Sequence, residues 1–265
     1  MGNQLDVERK YHYYETSVQN PEGEVETLQG LYENLRGKKA KVLREDFCGT
    51  GAIMCEWVKQ GNDFKALGVD LDPEPVEYGQ EKHLKKLNEQ EQSRVNYLMG
   101  DVFEIDTDKS DLTIALNFSY YIFKKRTKLI EYFKKVRESL SDDGVFVLDL
   151  FGGPDSMMPM EEETEHSTFT YFWDCDYFNP ITHECRYFIH FKPHNGKKYK
   201  RVFEYEWRMW GYAELREILE DAGFSKTVAY WEGDDEDDEG GNGEFFPTNE
   251  IDNCEAWVGY IAALK

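Results

Sequence analysis

Apolar and polar positions along this chain follow two regimes. Through the first 150 residues, short apolar runs at 40–44, 66–70, 95–99, 112–116 and 145–150 are separated by stretches at 52–60, 74–88 and 126–140. In those stretches the apolar residues recur every three to four positions. The runs have strand length and the stretches have helical periodicity. Pro73-Glu74-Pro75 suits the first turn of the second helix, and Ser141-Asp142-Asp143-Gly144 stops the third. Strands alternating with helices predict right-handed crossovers and a parallel sheet.

The texture then changes. Segments 168–176, 184–192 and 198–208 are rich in aromatic and β-branched residues, with Asn179-Pro180 and Asn195-Gly196 as turns between them. They predict three antiparallel strands inserted after the fifth parallel strand. A helix over 212–222, closed by Gly223, and strands over 227–232 and 256–264 complete the chain. The acidic run Asp234-Asp235-Glu236-Asp237-Asp238-Glu239 lacks the spacing of a calcium loop and reads as a solvated connection, so no metal is expected.

At 265 residues, with 40% hydrophobic and 15% aromatic content, the chain suits one large domain or a core domain carrying an insertion. A formal net charge of −22 argues against nucleic acid and anionic membranes as partners, because both bind through neutralising Lys and Arg. Small-molecule or protein partners are expected instead. No run approaches the roughly 18 apolar residues of a membrane span. The N-terminus lacks the apolar stretch of a signal peptide, and Asp6 stands where a myristoylation signal has a hydroxyl residue. Five cysteines without a CxxC pair read as free thiols, and a cytoplasmic location is expected.

The most informative segment is Val42-Leu43-Arg44-Glu45-Asp46-Phe47-Cys48-Gly49-Thr50-Gly51, followed by a helical pattern from Ala52. Small residues at a strand-to-helix turn let backbone approach a ligand closely. The acidic residues select the ligand. A pyrophosphate would be repelled by them, whereas an amino group, a hydroxyl or a sulfonium would be attracted.

With these residues in place, the chain resembles a class I S-adenosylmethionine-dependent methyltransferase over nearly its whole length. The inserted sheet and the Glu204-Tyr205-Glu206-Trp207-Arg208 wording are similar to the glycine- and small-amine-type N-methyltransferases. The resemblance implies a Rossmann-like, seven-stranded, mostly parallel sheet with helices on both faces, plus the inserted antiparallel sheet. It also implies residues 1–37 as a helical cap, 38–151 and 209–265 as the cofactor-binding core, and 152–208 as a substrate or lid subdomain. S-adenosylmethionine is the implied cofactor. Cys48, Gly49, Thr50 and Gly51 match the glycine-rich first motif, with Glu45, or Asp46 beside it, as its acid. Phe47 stands where the family usually has glycine. Asp70 and Leu71 match the ribose motif, Asp101 and Val102 the adenine motif, and Asn117 and Ser119 the fourth motif beside the methyl group.

The acceptor implied is a small molecule, methylated at an amine nitrogen rather than at oxygen. Candidate catalytic residues are Tyr120, Tyr121 and His12, and candidate substrate residues are Tyr14, Trp173 and Arg208. The inserted sheet is open to two roles, a lid or a homodimer contact. Three other readings compete: a protein methyltransferase, a non-catalytic cofactor-binding module and an NAD-dependent dehydrogenase. The last fits poorly with a carboxylate at the first motif.

Overall fold

The computed structural model describes residues 5–234 and 241–265. Two helices come first, α1 (Val7–Val18) and α2 (Pro21–Arg36), capped by Asp6 and Asn20, whose side chains accept the Arg9 and Gly23 N–H groups. The alternating portion follows: β1 (Val42–Asp46), α3 (Ala52–Trp57), β2 (Lys65–Asp70), α4 (Pro73–Lys82), α5 (Glu89–Gln92), β3 (Val95–Met99), β4 (Ser110–Ala115), α6 (Arg126–Ser139) and β5 (Leu140–Gly152). The inserted strands are β6 (Met160–Glu165), β7 (Phe169–Phe178), β8 (Glu184–Pro193) and β9 (Tyr199–Arg208). The chain closes with α7 (Tyr212–Asp221), β10 (Lys226–Asp234), β11 (Gly241–Thr248) and β12 (Trp257–Leu264).

The main sheet has the order β11-β10-β12-β5-β4-β1-β2-β3. Strands β1 to β5 run parallel, and β12 is antiparallel to both β5 and β10. The seven expected strands are joined by an eighth, β11, at the edge. Its sequence, Gly241-Asn242-Gly243-Glu244-Phe245-Phe246-Pro247-Thr248, reads as a loop because glycine and proline are strand-poor. An edge position tolerates Pro247, whose missing N–H need face no partner. The acidic run over 235–239 lies outside the described residues.

Strand alternation divides the core between the two faces of this sheet. Val145, Val147, Leu112, Ile114 and Ala262 point to the side covered by α2 and α3. Phe146, Leu148, Leu150, Ile261 and Ala263 point to the side covered by α6 and α7. The helix expected over 74–88 stops at Lys82, because Asn88 and Glu91 form a capping box that starts the separate helix α5.

The inserted sheet has the order β6-β7-β8-β9, all antiparallel. It therefore holds four strands rather than three. The extra one, β6, is exposed throughout and glutamate-rich, which hides its strand character and suits an edge that must not pair with other chains. Helix α1 joins the two sheets. The Tyr13 ring stacks on Phe169 of β7 at 4.0 Å, while Lys10 and Tyr11 reach Glu74 of α4 at 2.7 and 3.0 Å.

Candidate active site

The turn after β1 is built by close backbone packing. The Cys48 N–H donates to the Val69 carbonyl, the Gly51 N–H to the Cys48 carbonyl, and the Gly49 N–H to Asp70 Oδ2 at 2.7 Å. Gly79 lets α4 settle on this turn, since a β-carbon there would lie 1.8 Å from the Thr50 carbonyl oxygen. Phe47 occupies the left-handed region at φ 59°. The glycine-like path is thus retained by a bulky residue, whose ring packs on Phe123 and Tyr132 at 6.0 and 5.7 Å. That packing offsets the cost of a non-glycine residue at positive φ.

The two acids of the motif have separate fates. Asp46 is buried against Arg44, with Oδ1 2.7 Å from Nε, and its Oδ2 accepts the Tyr132 hydroxyl at 2.9 Å. It is a structural group with both oxygens engaged, so it does not share the role of Glu45. Glu45 points the other way, into a cavity of about 180 Å³ that Cys48, Gly49, Thr50, Asn117 and Ser119 also line. The Glu45 Oε2, Thr50 Oγ1 and Gln19 Oε1 atoms are buried without a protein partner. Lys10, the cation on this wall, is engaged by Glu74.

Unpartnered buried oxygens cost free energy, and these call for a donor-rich cationic ligand rather than an anion. The ammonium and sulfonium of S-adenosylmethionine fit that requirement. Burial, followed by the neighbouring charge of Glu24, pushes Glu45 well above the usual carboxylate range. Burial alone pushes Glu24 up to about 7. A cation bound beside them would favour the ionised form of each.

Asp149 of β5 fixes the far side of this cavity. Its carboxylate accepts the Asn117 N–H at 2.6 Å and the Phe118 N–H at 2.9 Å. Both residues take positive φ, 54° and 56°, so one side chain holds a turn that two non-glycine residues would otherwise avoid. Burial raises Asp149 to about 8 despite those two donors.

A second cavity, about 220 Å³, lies between the inserted sheet and α1. Six aromatic residues line it: Tyr14, Phe118, Tyr171, Trp173, Tyr205 and Trp207. Tyr14, Asn117 and Tyr205 belong to both cavities, which therefore meet there. Burial raises the Tyr14 and Tyr205 hydroxyls above the usual phenol range, so both stay protonated at neutral pH.

Several expected residues fall elsewhere. Tyr120 and Tyr121 are fully buried, and their hydroxyls donate to the Asp149 and Trp210 carbonyls at 2.8 and 3.1 Å. They brace the fourth-motif turn and touch neither cavity, so the geometry corrects their catalytic assignment to positioning. His12 is exposed on another face of α1, in a surface cleft with Glu8, Arg9 and His83. It has no path to the junction and cannot act there as a base. Arg208 stacks on Trp210, with Nη2 3.1 Å from Glu214 at the start of α7, and is not on either wall, which removes it as a substrate clamp.

Asp70, Leu71, Asp101 and Val102 sit at the ends of β2 and β3, outside the enclosed cavities. The carboxylate of Asp70 also accepts the Asp72 N–H at 2.8 Å, and Asp101 accepts the Phe103 N–H at 2.9 Å. Leu71 and Met99 are exposed beside them. Val102 is buried in the core. Gly51, at φ 65°, caps α3 without reaching the cavity wall.

Lys10, Tyr11, Gln19, Phe203 and Tyr205 line the first cavity although no motif marks them. They come from the two ends of α1 and from β9. The resemblance covers α1 as a helical cap and Tyr205 within the 204–208 wording, without singling out these side chains.

Among the described residues, Glu161, Asp174 and His190 cluster as metal ligands could. His190 Nδ1 accepts the Arg201 N–H at 2.9 Å, so Nε2 carries the proton it turns towards Asp174 at 3.0 Å. Lys198 already balances Glu161 at 2.6 Å. The cluster is satisfied internally.

No family model and no curated protein matches this sequence. Solved structures do. A S-adenosylmethionine-dependent methyltransferase from Clostridium acetobutylicum superposes with a TM-score of 0.67 at 17% identity, covering 98% of this chain and 99% of that one. CalS10, an amino pentose methyltransferase from Micromonospora echinaspora, gives 0.67 at 14% identity with both chains fully covered. The sugar N-methyltransferase KedS8 from Streptoalloteichus gives 0.65 at 17%, covering 100% and 95%. The chain has the fold of the class I S-adenosylmethionine-dependent methyltransferases.

Proposed function

We propose that this protein is an S-adenosylmethionine-dependent methyltransferase acting on a nitrogen of a small molecule. The observation that carries the reading is the junction of the two cavities at Tyr14, Asn117 and Tyr205. One cavity offers buried oxygens to a cation, and the other offers an aromatic wall to an acceptor.

Glu45, Thr50 and Gln19 would hold the amino group of the methionine part, and Cys48 and Gly49 would follow it with backbone. The exposed surface beside Asp70, Leu71 and Asp101 would take the adenosine. When bound there, S-adenosylmethionine supplies an electrophilic methyl on a sulfonium, whose sulfur keeps the C–S electron pair as the acceptor's lone pair takes the methyl. The protein's own work is alignment and exclusion of water.

Nitrogen is favoured over oxygen because the junction presents protonated phenols rather than a base. A hydroxyl acceptor normally needs a base, whereas an amine needs only to arrive deprotonated. The similarity to the sugar N-methyltransferase KedS8 supports the same choice.

Calorimetry with S-adenosylmethionine tests the cofactor. Binding in the micromolar range, weakened at least tenfold in Glu45→Gln, is expected, and no binding by the wild-type protein would sink the proposal. Incubation with labelled cofactor and a metabolite extract then identifies the methylated product.

A further inference from the structure

The acceptor cavity has a charge pattern that narrows what it can hold. Strand alternation in β7 turns Tyr171 and Trp173 inward and sends Phe172 and Asp174 to the outer face. The cations of this sheet go outward too, Lys198 sitting 3.4 Å over the Phe172 ring. Trp173, Tyr205 and Trp207 form a continuous aromatic surface, with ring centroids 4.4 to 6.3 Å apart. Phe118 closes one side, 6.2 Å from Trp207. Among the described residues the cavity wall includes no Lys, Arg or His, and its one charged residue is Glu162, paired across the ladder with Trp173.

Such a wall attracts cations through the negative faces of its rings and offers a carboxylate or phosphate only neutral donors, with no cation to balance its charge. The acceptor nitrogen also ends the reaction positively charged, so the same wall stabilises the charge that develops on it. We infer that this cavity is an aromatic cage for a compact aliphatic amine that carries no acidic group, with Trp173 and Tyr171 conferring the preference for positive charge and Glu162 reinforcing it. The inference rests on the methyltransferase reading for its place in a reaction, but the cage makes a binding claim of its own.

The test compares probes of equal size by calorimetry, on the full chain saturated with S-adenosylhomocysteine. Choline, a fixed cation, is set against its neutral carbon isostere 3,3-dimethylbutanol, and dimethylaminoethanol against the carboxylate-bearing dimethylglycine. Choline is expected to bind at least tenfold tighter than the isostere, a difference of about 1.4 kcal/mol. Dimethylglycine should bind more weakly than dimethylaminoethanol. Trp173→Leu should remove the preference for choline while S-adenosylhomocysteine affinity stays within twofold, which also shows that the variant folds. Trp173→Phe, keeping a ring face, should retain most of the preference.

Equal binding of choline and its isostere, or tighter binding of dimethylglycine than of dimethylaminoethanol, overturns the cage. If neither S-adenosylhomocysteine nor S-adenosylmethionine binds, the methyltransferase reading fails instead, and the choline pair judges the cage alone.

Discussion

Arg44 and Asp46 lie two residues apart on β1 and form a fully buried ion pair at 2.7 Å, which turns the intervening Glu45 to the opposite face. Asp46 is thereby a fold-holding group and Glu45 a cavity-facing one. Replacing Asp46 with Ala leaves the Arg44 guanidinium buried and unpaired. It should destabilise the protein by roughly 3–5 kcal/mol, measurable by urea denaturation. Glu45→Gln should leave stability unchanged or raised, because it replaces an ionisable group buried at a desolvation cost with a neutral one of the same shape, while weakening cofactor binding. If both variants lose stability equally, the division between them is wrong.

Phe47 offers a test of backbone against side chain. Glycine normally destabilises more than alanine, but at φ 59° the order should invert. Phe47→Gly loses the contacts with Phe123 and Tyr132 and relieves the left-handed backbone, whereas Phe47→Ala loses the contacts and keeps the strain. The glycine variant should be more stable by about 1 kcal/mol, read as a higher melting temperature. The ordinary order would show that the turn relaxes without strain.

The raised carboxylates make cofactor binding depend on pH. Glu24 is raised to about 7 and Asp149 to about 8 by burial, and Glu45 is raised as well. The folded state holds protons here that the unfolded chain has already released, so stability from these groups falls as pH rises from about 4 towards 8. A cation favours their ionised forms. Affinity for S-adenosylmethionine should therefore rise between pH 6 and pH 7.5, below the titration of an α-amino group at about 7.7–8.0. Calorimetry in two buffers of different ionisation enthalpy should register proton release. A flat profile with no released proton would remove these carboxylates from the ligand's neighbourhood.

Asp149→Ala frees the N–H groups of Asn117 and Phe118, both at positive φ. The turn should relax, costing at least tenfold in turnover and roughly 2 kcal/mol in stability. His12→Ala, on the far face of α1, should change turnover less than twofold. A large effect of the His12 change would restore a role that the geometry denies it.

Much of this molecule was legible in the chain because its elements are locally encoded. The βα alternation, the Pro73 helix start and the Asn195-Gly196 hairpin all depend on neighbours in sequence. The strands missed, β6 and β11, are edge strands whose glutamates, glycines and proline suit exposure rather than pairing. Cys48, Gly49, Thr50 and Glu45, marked by the first turn, and Asn117 and Ser119, marked by the resemblance, all line one cavity. Tyr120, Tyr121, His12 and Arg208 were misjudged for one reason. Residue type announces capability, but only packing decides which face a hydroxyl, imidazole or guanidinium meets. Gln19 and Tyr205 were covered only by the expected cap and by the 204–208 wording, because their place on the cavity wall comes from long-range contact between α1, β9 and the first turn.

The wall shared by Tyr14, Asn117 and Tyr205 divides the freedom of this protein to acquire new acceptors. On the proposed reading those three residues would serve donor and acceptor at once, so a change that improves one fit would disturb the other. Tyr171, Trp173 and Ile189 face the acceptor cavity alone. Diversification of the acceptor, by natural drift or by directed evolution, is thus channelled into β7 and β8, while the donor side stays fixed by its own turn.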